Sequence, residues 1–313
     1  MLGKHKDLLG LKDLTAEEIK YILKNAQTMK YILQQNNKKT PHLQGKSVVT
    51  LFYENSTRTR LSFEMAAKYI GASTANVAAG TSSVSKGETL IDTARTIDAM
   101  GTDVIILRHP MSGAANLIAK NVKASVINAG DGMNEHPTQA LLDLFTIMEH
   151  KGGFEGLRVA IVGDIMHSRV VRSNIYALTK LGARVAVGGP ATLLPKGLEM
   201  LGAEVYDNVQ EALLDADVVM GLRMQLERQQ SGFVPDMREY AHFFGVDDKR
   251  LAFAKPDAML MHPGPVNRGF ELTSGIIDGT HSVIQEQVTN GVAVRMAVLY
   301  IMARKGGGNE NFD

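Results

Sequence analysis

The sequence contains no cysteine. That absence excludes disulfides, a thiolate nucleophile, a zinc ribbon and iron–sulfur ligation, and it fits a reducing compartment. An excess of charge is missing as well: 34 Lys plus Arg stand against 33 Asp plus Glu, a formal net charge of +1. Such a balance supplies no overall field for nucleic acid or an anionic membrane, so neither is an expected partner. No apolar run approaches the ~20 residues of a membrane span, and the opening residues lack the apolar core of a signal peptide. The expected location is the cytoplasm. No solenoid repeat is present, and only the tail KGGGNENFD, 305–313, is of low complexity. Function must therefore reside in a local site.

What the sequence does contain is alternation. Its 313 residues exceed a typical single core and favour two domains. Thr15-Ala16-Glu17-Glu18 has the spacing of a capping box, and Ile19, Ile22, Leu23, Ala26, Met29 and Leu33 follow at helical spacing. Short apolar runs then alternate with longer periodic ones over 48–53, 61–70, 74–78, 89–100, 104–107, 116–119, 125–127 and 137–148. After a break at His150-Lys151-Gly152-Gly153 the alternation resumes over 158–162, 169–181, 184–187, 195–201, 204–206, 209–214, 218–221 and 258–261. Strand–helix alternation of this kind predicts an α/β chain with two doubly wound parallel-sheet domains, 1–150 and 151–313. A strong helix over about 282–304 follows the second sheet, and the pattern leaves open which domain it packs on.

In open parallel sheets ligands sit at the carboxyl ends of the strands. Glu54-Asn55-Ser56-Thr57-Arg58-Thr59-Arg60 directly follows the run 48–53 and precedes a helix. A helix N-terminus offers unpaired backbone N–H groups and a partial positive charge; three hydroxyls and two guanidiniums join it here, which equips the segment to cradle an oxyanion. The plainer alternative is that Ser56 caps the helix while the arginines are solvated. Leu107-Arg108-His109-Pro110 ends another run and can aim Arg108 at the same crevice, although a strand-terminal Arg by itself is more often a surface ion pair. Asn134-Glu135-His136-Pro137-Thr138-Gln139 opens a helix at Pro137 and sets His136 and Gln139 about one turn apart, able to converge on one small group.

In the second half, Ile161-Val162-Gly163-Asp164 leads to Arg169, and Gly221-Leu222-Arg223-Met224-Gln225 ends a further run. Two arginines near strand ends, with Gln225 beside one of them, suit a dicarboxylate, because bidentate Arg–carboxylate pairs give affinity and orientation together. Met261-His262-Pro263-Gly264-Pro265-Val266 is a rigid turn whose carbonyls can accept bonds from an amide. Several chemistries lack their motifs. Neither HExxH nor a His-x-His pair supports His136 as a metal ligand, and no G-x-S-x-G supports a serine acyl-enzyme. The Ser/Gly segment 80–89 has Gly87 after Lys86 instead of before it, so it is no P-loop, and the single Gly163 falls short of a dinucleotide fingerprint.

Taken together, Ser56-Thr57-Arg58-Thr59-Arg60, His136-Pro137-Thr138-Gln139 and His262-Pro263-Gly264-Pro265 resemble the signature segments of the transcarbamoylases, in the same order along nearly the whole chain. Ser85-Lys86-Gly87-Glu88-Thr89 and Arg223-Met224-Gln225 resemble the branch of that family that uses aspartate; the ornithine branch typically has His-Cys-Leu-Pro at the last turn. The resemblance implies transfer of the carbamoyl group of carbamoyl phosphate to the amino group of L-aspartate, giving N-carbamoyl-L-aspartate and phosphate, the committed step of de novo pyrimidine (UMP) biosynthesis. It implies that Ser56, Thr57, Arg58, Thr59 and Arg108 hold carbamoyl phosphate, that His136 and Gln139 lie near its carbamoyl group, and that the carbonyls of Gly264 and Pro265 accept from its amide. L-aspartate then falls to Lys86, Arg169, Arg223 and Gln225, with Glu54 orienting Arg169.

By the same resemblance, Arg58, Thr59, Lys86, Arg108 and His136 act on the reacting atoms, with no cofactor, metal or covalent intermediate. Lys86 and Ser82 are expected to come from a neighbouring subunit of a homotrimer, while a regulatory chain or another enzyme of the pathway is not indicated. The rival readings are an ornithine-using relative, an NAD-dependent dehydrogenase and a catalytically silent scaffold. A dehydrogenase lacks its glycines, and a scaffold would have lost charged site residues that are all filled here.

Overall fold

The capping box forms: Thr15 Oγ1 accepts from the Glu18 N–H at 3.2 Å and the Glu18 carboxylate accepts from the Thr15 N–H at 3.0 Å. It opens helix α1, Ala16–Leu33, whose buried residues Ile19, Ile22, Leu23, Ala26 and Met29 recur at intervals of three and four. The structure, a computed structural model, describes residues 5–78, 87–225 and 236–306. Strands β1 (Ser47–Phe52), β2 (Ser73–Ala78), β3 (Val104–His109) and β4 (Ser125–Asp131) form a parallel sheet in the order β2-β1-β3-β4. Parallel neighbours require crossovers, which α2 (Thr57–Tyr69), α3 (Leu90–Ala99) and α4 (Ala114–Ala119) supply. Strands covered on both faces are apolar throughout, and here Val49, Leu51, Ile105, Leu107 and Val126 pack with Ala94, Ile97, Ala115 and Ile118.

Helix α5 (Pro137–Lys151) precedes the second sheet, in which β5 (Arg158–Val162), β6 (Arg184–Gly188), β7 (Ala203–Tyr206), β8 (Val218–Gly221) and β9 (Met259–Met261) run parallel in the order β7-β6-β5-β8-β9. Around it stand α6 (Arg169–Lys180), α7 (Val209–Leu213), α8 (Met237–Phe244), α9 (Asp248–Leu251) and α10 (Ser274–Ile277), and α11 (Ile284–Gly306) closes the described chain. Val162, Val219 and Leu260 pack with Val209, Ala212, Leu213 and Ile276 in its core. Each sheet winds outward in both directions from a central pair, β1 with β3 and β5 with β8, so both are doubly wound. No helix among the described residues is long and apolar enough to cross a membrane.

The chain forms two units, one of residues 1–142 and 289–313 and the other of residues 143–288. It passes from one to the other within α5, a few residues before the break near 150, and returns within α11. Composition shows where a helix ends, but which core receives each of its turns is a matter of packing. Within the first unit, Arg295 Nη1 on α11 donates to Ser62 Oγ at 3.0 Å with its guanidinium 5.1 Å over the Phe63 ring, and Ser125 Oγ donates to the Met302 carbonyl at 3.0 Å. The run expected over 195–201 holds only a short 3₁₀ turn, Glu199–Leu201, because Gly197 and Gly202 take φ of +87° and +90° on either side of it.

Candidate active site

In the first unit the strand order reverses at β1 and β3, and both carry polar residues at their carboxyl ends. Ser56 precedes α2 in an extended conformation, yet its hydroxyl makes no capping bond and the first turn of α2 contains no acidic residue. At α1, α3 and α8, by contrast, Thr15, Thr89 and Asp236 accept a backbone N–H and an acid occupies the first turn. The α2 N-terminus thus has no side-chain cap from Ser56, and its positive dipole end is of the kind that suits an anion. Thr59 is buried in that turn, while Thr57, Arg58 and Arg60 are exposed.

Arg108 faces an irregularity in β4. Leu107 pairs with Asn128 but His109 with Asp131, so Ala129 and Gly130 together oppose Arg108, a bulge of the kind that re-aims a side chain. Arg108 Nη1 donates to the Ala129 carbonyl at 3.3 Å and Nη2 to Glu54 Oε1 at 3.1 Å. Glu54 is thus one of the partners that hold Arg108. His109 is buried beside it, accepts from the Met111 N–H at Nδ1 (3.0 Å) and lies 4.9 Å from the Tyr53 ring. Burial pushes its pKa below the ordinary value, only partly offset by the charges of Asp131 and Glu54.

His136 and Gln139 are both buried at the start of α5, where the His136 carbonyl accepts from the N–H groups of Gln139 (3.0 Å) and Ala140 (3.2 Å). The preceding loop is held by buried polar groups that motif reading missed. Asn128 Nδ2 donates to Asp131 Oδ1 at 2.7 Å and to the Leu9 carbonyl at 2.8 Å; Asp131 Oδ2 accepts from the Gly113 N–H at 2.7 Å. Glu135 Oε2 accepts from the Leu11 N–H at 2.7 Å, so the chain near the N-terminus fastens the residue next to His136.

The second unit repeats the plan at β5 and β8. Gly163 has φ +136°, and a Cβ there would lie 2.5 Å from the Leu222 carbonyl oxygen, so only glycine lets the two strand ends approach this closely. Asp164, fully buried, joins them. Its Oδ1 accepts from the His167 N–H at 3.1 Å and lies 2.9 Å from His167 Nδ1, while Oδ2 accepts from the Gln225 N–H at 3.1 Å. Arg223 Nη2 donates to Gln225 Oε1 at 3.2 Å, so these two site residues meet. Arg169 is buried as the first residue of α6, whose N-terminus, like that of α2, has neither a side-chain cap nor an acid in its first turn. The turn after β9 places Gly264 at φ +66° and contains a cis Gly264–Pro265 peptide. Ser82 and Lys86 lie outside the described residues.

Residues 6–149 match the family model for the aspartate/ornithine carbamoyltransferase carbamoyl-P binding domain, and residues 155–302 match its Asp/Orn binding domain. The chain belongs to the aspartate/ornithine carbamoyltransferase family. A relative from Ruminiclostridium cellulolyticum named aspartate carbamoyltransferase catalytic subunit is 69% identical over 310 residues, 99% of this chain and 99% of that one. A second of the same name, from Acetivibrio thermocellus, is 68% identical over 308 residues, 98% of this chain and 99% of its own. The crystal structure of aspartate transcarbamoylase from Trypanosoma cruzi with carbamoyl phosphate and aspartate superposes with a TM-score of 0.85 at 30% identity, covering 95% of this chain and 96% of that one. Ornithine carbamoyltransferase from Pyrococcus furiosus does so at 0.83 and 34% identity, covering 94% and 95%. The fold is thus common to both branches of the family, and the high-identity relatives carry the aspartate name.

Proposed function

We propose that the chain transfers the carbamoyl group of carbamoyl phosphate to the α-amino group of L-aspartate, giving N-carbamoyl-L-aspartate and phosphate for pyrimidine biosynthesis. The observation that carries this reading is 69% identity over 99% of the chain to a protein named for that activity. The chemistry of the two units supports it: each has an uncapped, acid-free helix N-terminus where the strand order reverses, with arginines at hand.

Ser56, Thr57, Arg58, Thr59 and Arg108 bind the phosphate side of carbamoyl phosphate, and His136 and Gln139 bind its carbamoyl group. The carbonyls of Gly264 and Pro265 accept from its amide. Arg169, Arg223 and Gln225 bind the carboxylates of L-aspartate, together with Lys86. As the amino nitrogen attacks the carbamoyl carbon, a C–N bond forms, the C–O bond to phosphate breaks with its electron pair, and the departing phosphate takes up the proton that the nitrogen loses. Negative charge develops on the carbonyl oxygen and on the departing phosphate. Arg58, Arg108, Lys86 and the α2 N-terminus stabilise the phosphate, while Thr59 and neutral His136 hydrogen-bond the carbonyl oxygen. Alignment of two bound reactants supplies much of the remaining acceleration, since effective molarities of order 10⁵ M or more are reached by positioning. Ser82 and Lys86 act from the neighbouring subunit of a homotrimer, and the enzyme works in the cytoplasm.

The test is phosphate release from carbamoyl phosphate with L-aspartate, with L-ornithine and with no acceptor. Release that requires L-aspartate supports the proposal. Preference for L-ornithine moves the chain to the other branch, and no release with either acceptor leaves the silent scaffold.

A further inference from the structure

A line of buried polar side chains runs behind the His262-Pro263-Gly264-Pro265 turn, wholly within the second unit. Asp143 on α5 is fully buried; its Oδ2 accepts from Asn174 Nδ2 on α6 at 3.0 Å and its Oδ1 from Gln287 Nε2 on α11 at 2.8 Å. Gln287 Oε1 accepts from the backbone N–H of His262 at 2.9 Å, and His262 Nδ1 accepts from the backbone N–H of Gly264 at 2.8 Å.

This line has a polarity. Both oxygens of Asp143 accept, and both neighbouring amides turn their NH₂ groups to it. Gln287 then has only its oxygen to offer His262. With Nδ1 occupied as an acceptor, the neutral imidazole carries its proton on Nε2, which lies 3.5 Å from Glu271 Oε1. A buried carboxylate costs stability unless its oxygens are bonded, and an apolar side chain of similar size would fill the place without that cost. None of Asp143, Asn174 and Gln287 has a part in the chemistry described above. The direction of the bonds is what the polar choice provides.

We propose that Asp143 is a positioning residue which, through Gln287 and His262, sets the direction of the Gly264 and Pro265 carbonyls toward the carbamoyl amide. The proposal rests on the assignment of those two carbonyls in the preceding section. It places a residue on α5, one helical turn beyond Gln139, in control of a turn that it does not touch.

The experiment reverses the donor and acceptor. Gln287→Glu sets two carboxylates against each other at the Asp143 contact; in the alkaline range, where both ionise, they separate and the turn shifts. The KM for carbamoyl phosphate then rises about tenfold, the scale expected of a slightly misplaced binding group. Adding Asp143→Asn gives the amide to the other partner: its NH₂ faces the carboxylate introduced on α11, its oxygen still receives Asn174, and the net charge matches the parent protein. The double variant recovers the parental KM across the same pH range. Histidine ring ¹⁵N spectra report the relay independently: the Nδ1 signal of His262 is parental in the double variant and displaced in Gln287→Glu. Thermal unfolding is followed in parallel, because a purely structural role would lower Tm without moving the KM for carbamoyl phosphate. An undisturbed ring in Gln287→Glu, or a double variant as impaired as the single one, overturns the relay. A displaced ring with an unchanged KM overturns the carbonyl assignment instead.

Discussion

Replacing Arg108 with alanine tests the proposed phosphate cradle at a side chain held on two sides. Arg108 is 13% exposed and its guanidinium is fixed on two sides, by Glu54 Oε1 at 3.1 Å and the Ala129 carbonyl at 3.3 Å. Held in one orientation, it has little side-chain entropy left to lose on meeting an anion. A preorganised donor of this kind contributes about 3–4 kcal/mol to a transition state that develops charge. At about 1.4 kcal/mol per factor of ten, Arg108→Ala lowers kcat by ~10²–10³-fold. Stability changes less: a partly exposed ion pair of this kind contributes on the order of 1 kcal/mol. That amounts to a drop in Tm of about 2–4 °C. Glu54→Gln separates the two effects, because it keeps the charge of Arg108 and weakens only its orientation; its kcat falls by about tenfold or less. Phosphate release is measured with carbamoyl phosphate varied at saturating L-aspartate, alongside calorimetry. An Arg108→Ala enzyme within about threefold of the parental kcat would refute the reasoning, since the effect asked of that charge is about thirtyfold larger at the least. A Glu54→Gln defect exceeding that of Arg108→Ala would refute it too, by giving the direct role to the carboxylate.

Arg223→Ala raises the KM for L-aspartate by about tenfold or more and leaves that for carbamoyl phosphate within about twofold, since it removes ground-state binding of one substrate; steady-state kinetics with each substrate varied decide it, and an unchanged aspartate KM moves that substrate elsewhere. Burial holds His109 below the ordinary imidazole value of 6.5, so just below that pH the unfolded chain binds a proton that the folded chain refuses. Stability therefore rises with pH through this window, levels off above it, and is lost as the pH falls from about 6.5 toward the folded value. Urea unfolding at a series of pH values should show that slope in the parent and a flatter one in His109→Gln; equal slopes contradict it. If the sites are shared in a homotrimer as proposed, with Arg58 from one chain and Lys86 from the next, Arg58→Ala and Lys86→Ala assemblies should each be nearly inactive, but equal mixtures dissociated and reassociated regain about a quarter of parental activity. No recovery in a mixture shown by native mass spectrometry to have exchanged subunits means that Lys86 does not serve a neighbour's site.

Much of this protein is written in short stretches of its sequence. The capping box at Thr15, the strand runs of both sheets and the polar segments at their carboxyl ends depend on residues within a few positions of each other, so spacing alone reveals them. The segment from Ser56 to Arg60 is placed correctly for the same reason, because a strand end and a helix start are both local events. Helices α8, α9 and α10, of eight, four and four residues, lie outside the runs that the alternation marks. The bonds that hold the site segments are of another kind. Glu135 meets Leu11 across 124 positions and Gln287 meets Asp143 across 144. A lone carboxylate within Ala140-Leu141-Leu142-Asp143-Leu144-Phe145 signals burial and hence a partner, but not which one. Only the folded chain decides that Arg108 pairs with Glu54, that Asp164 joins the ends of β5 and β8, and that most of α11 returns to the first unit. Periodicity is a property of neighbours along the chain, whereas a buried donor takes whichever acceptor the packing of distant segments brings within about 3 Å.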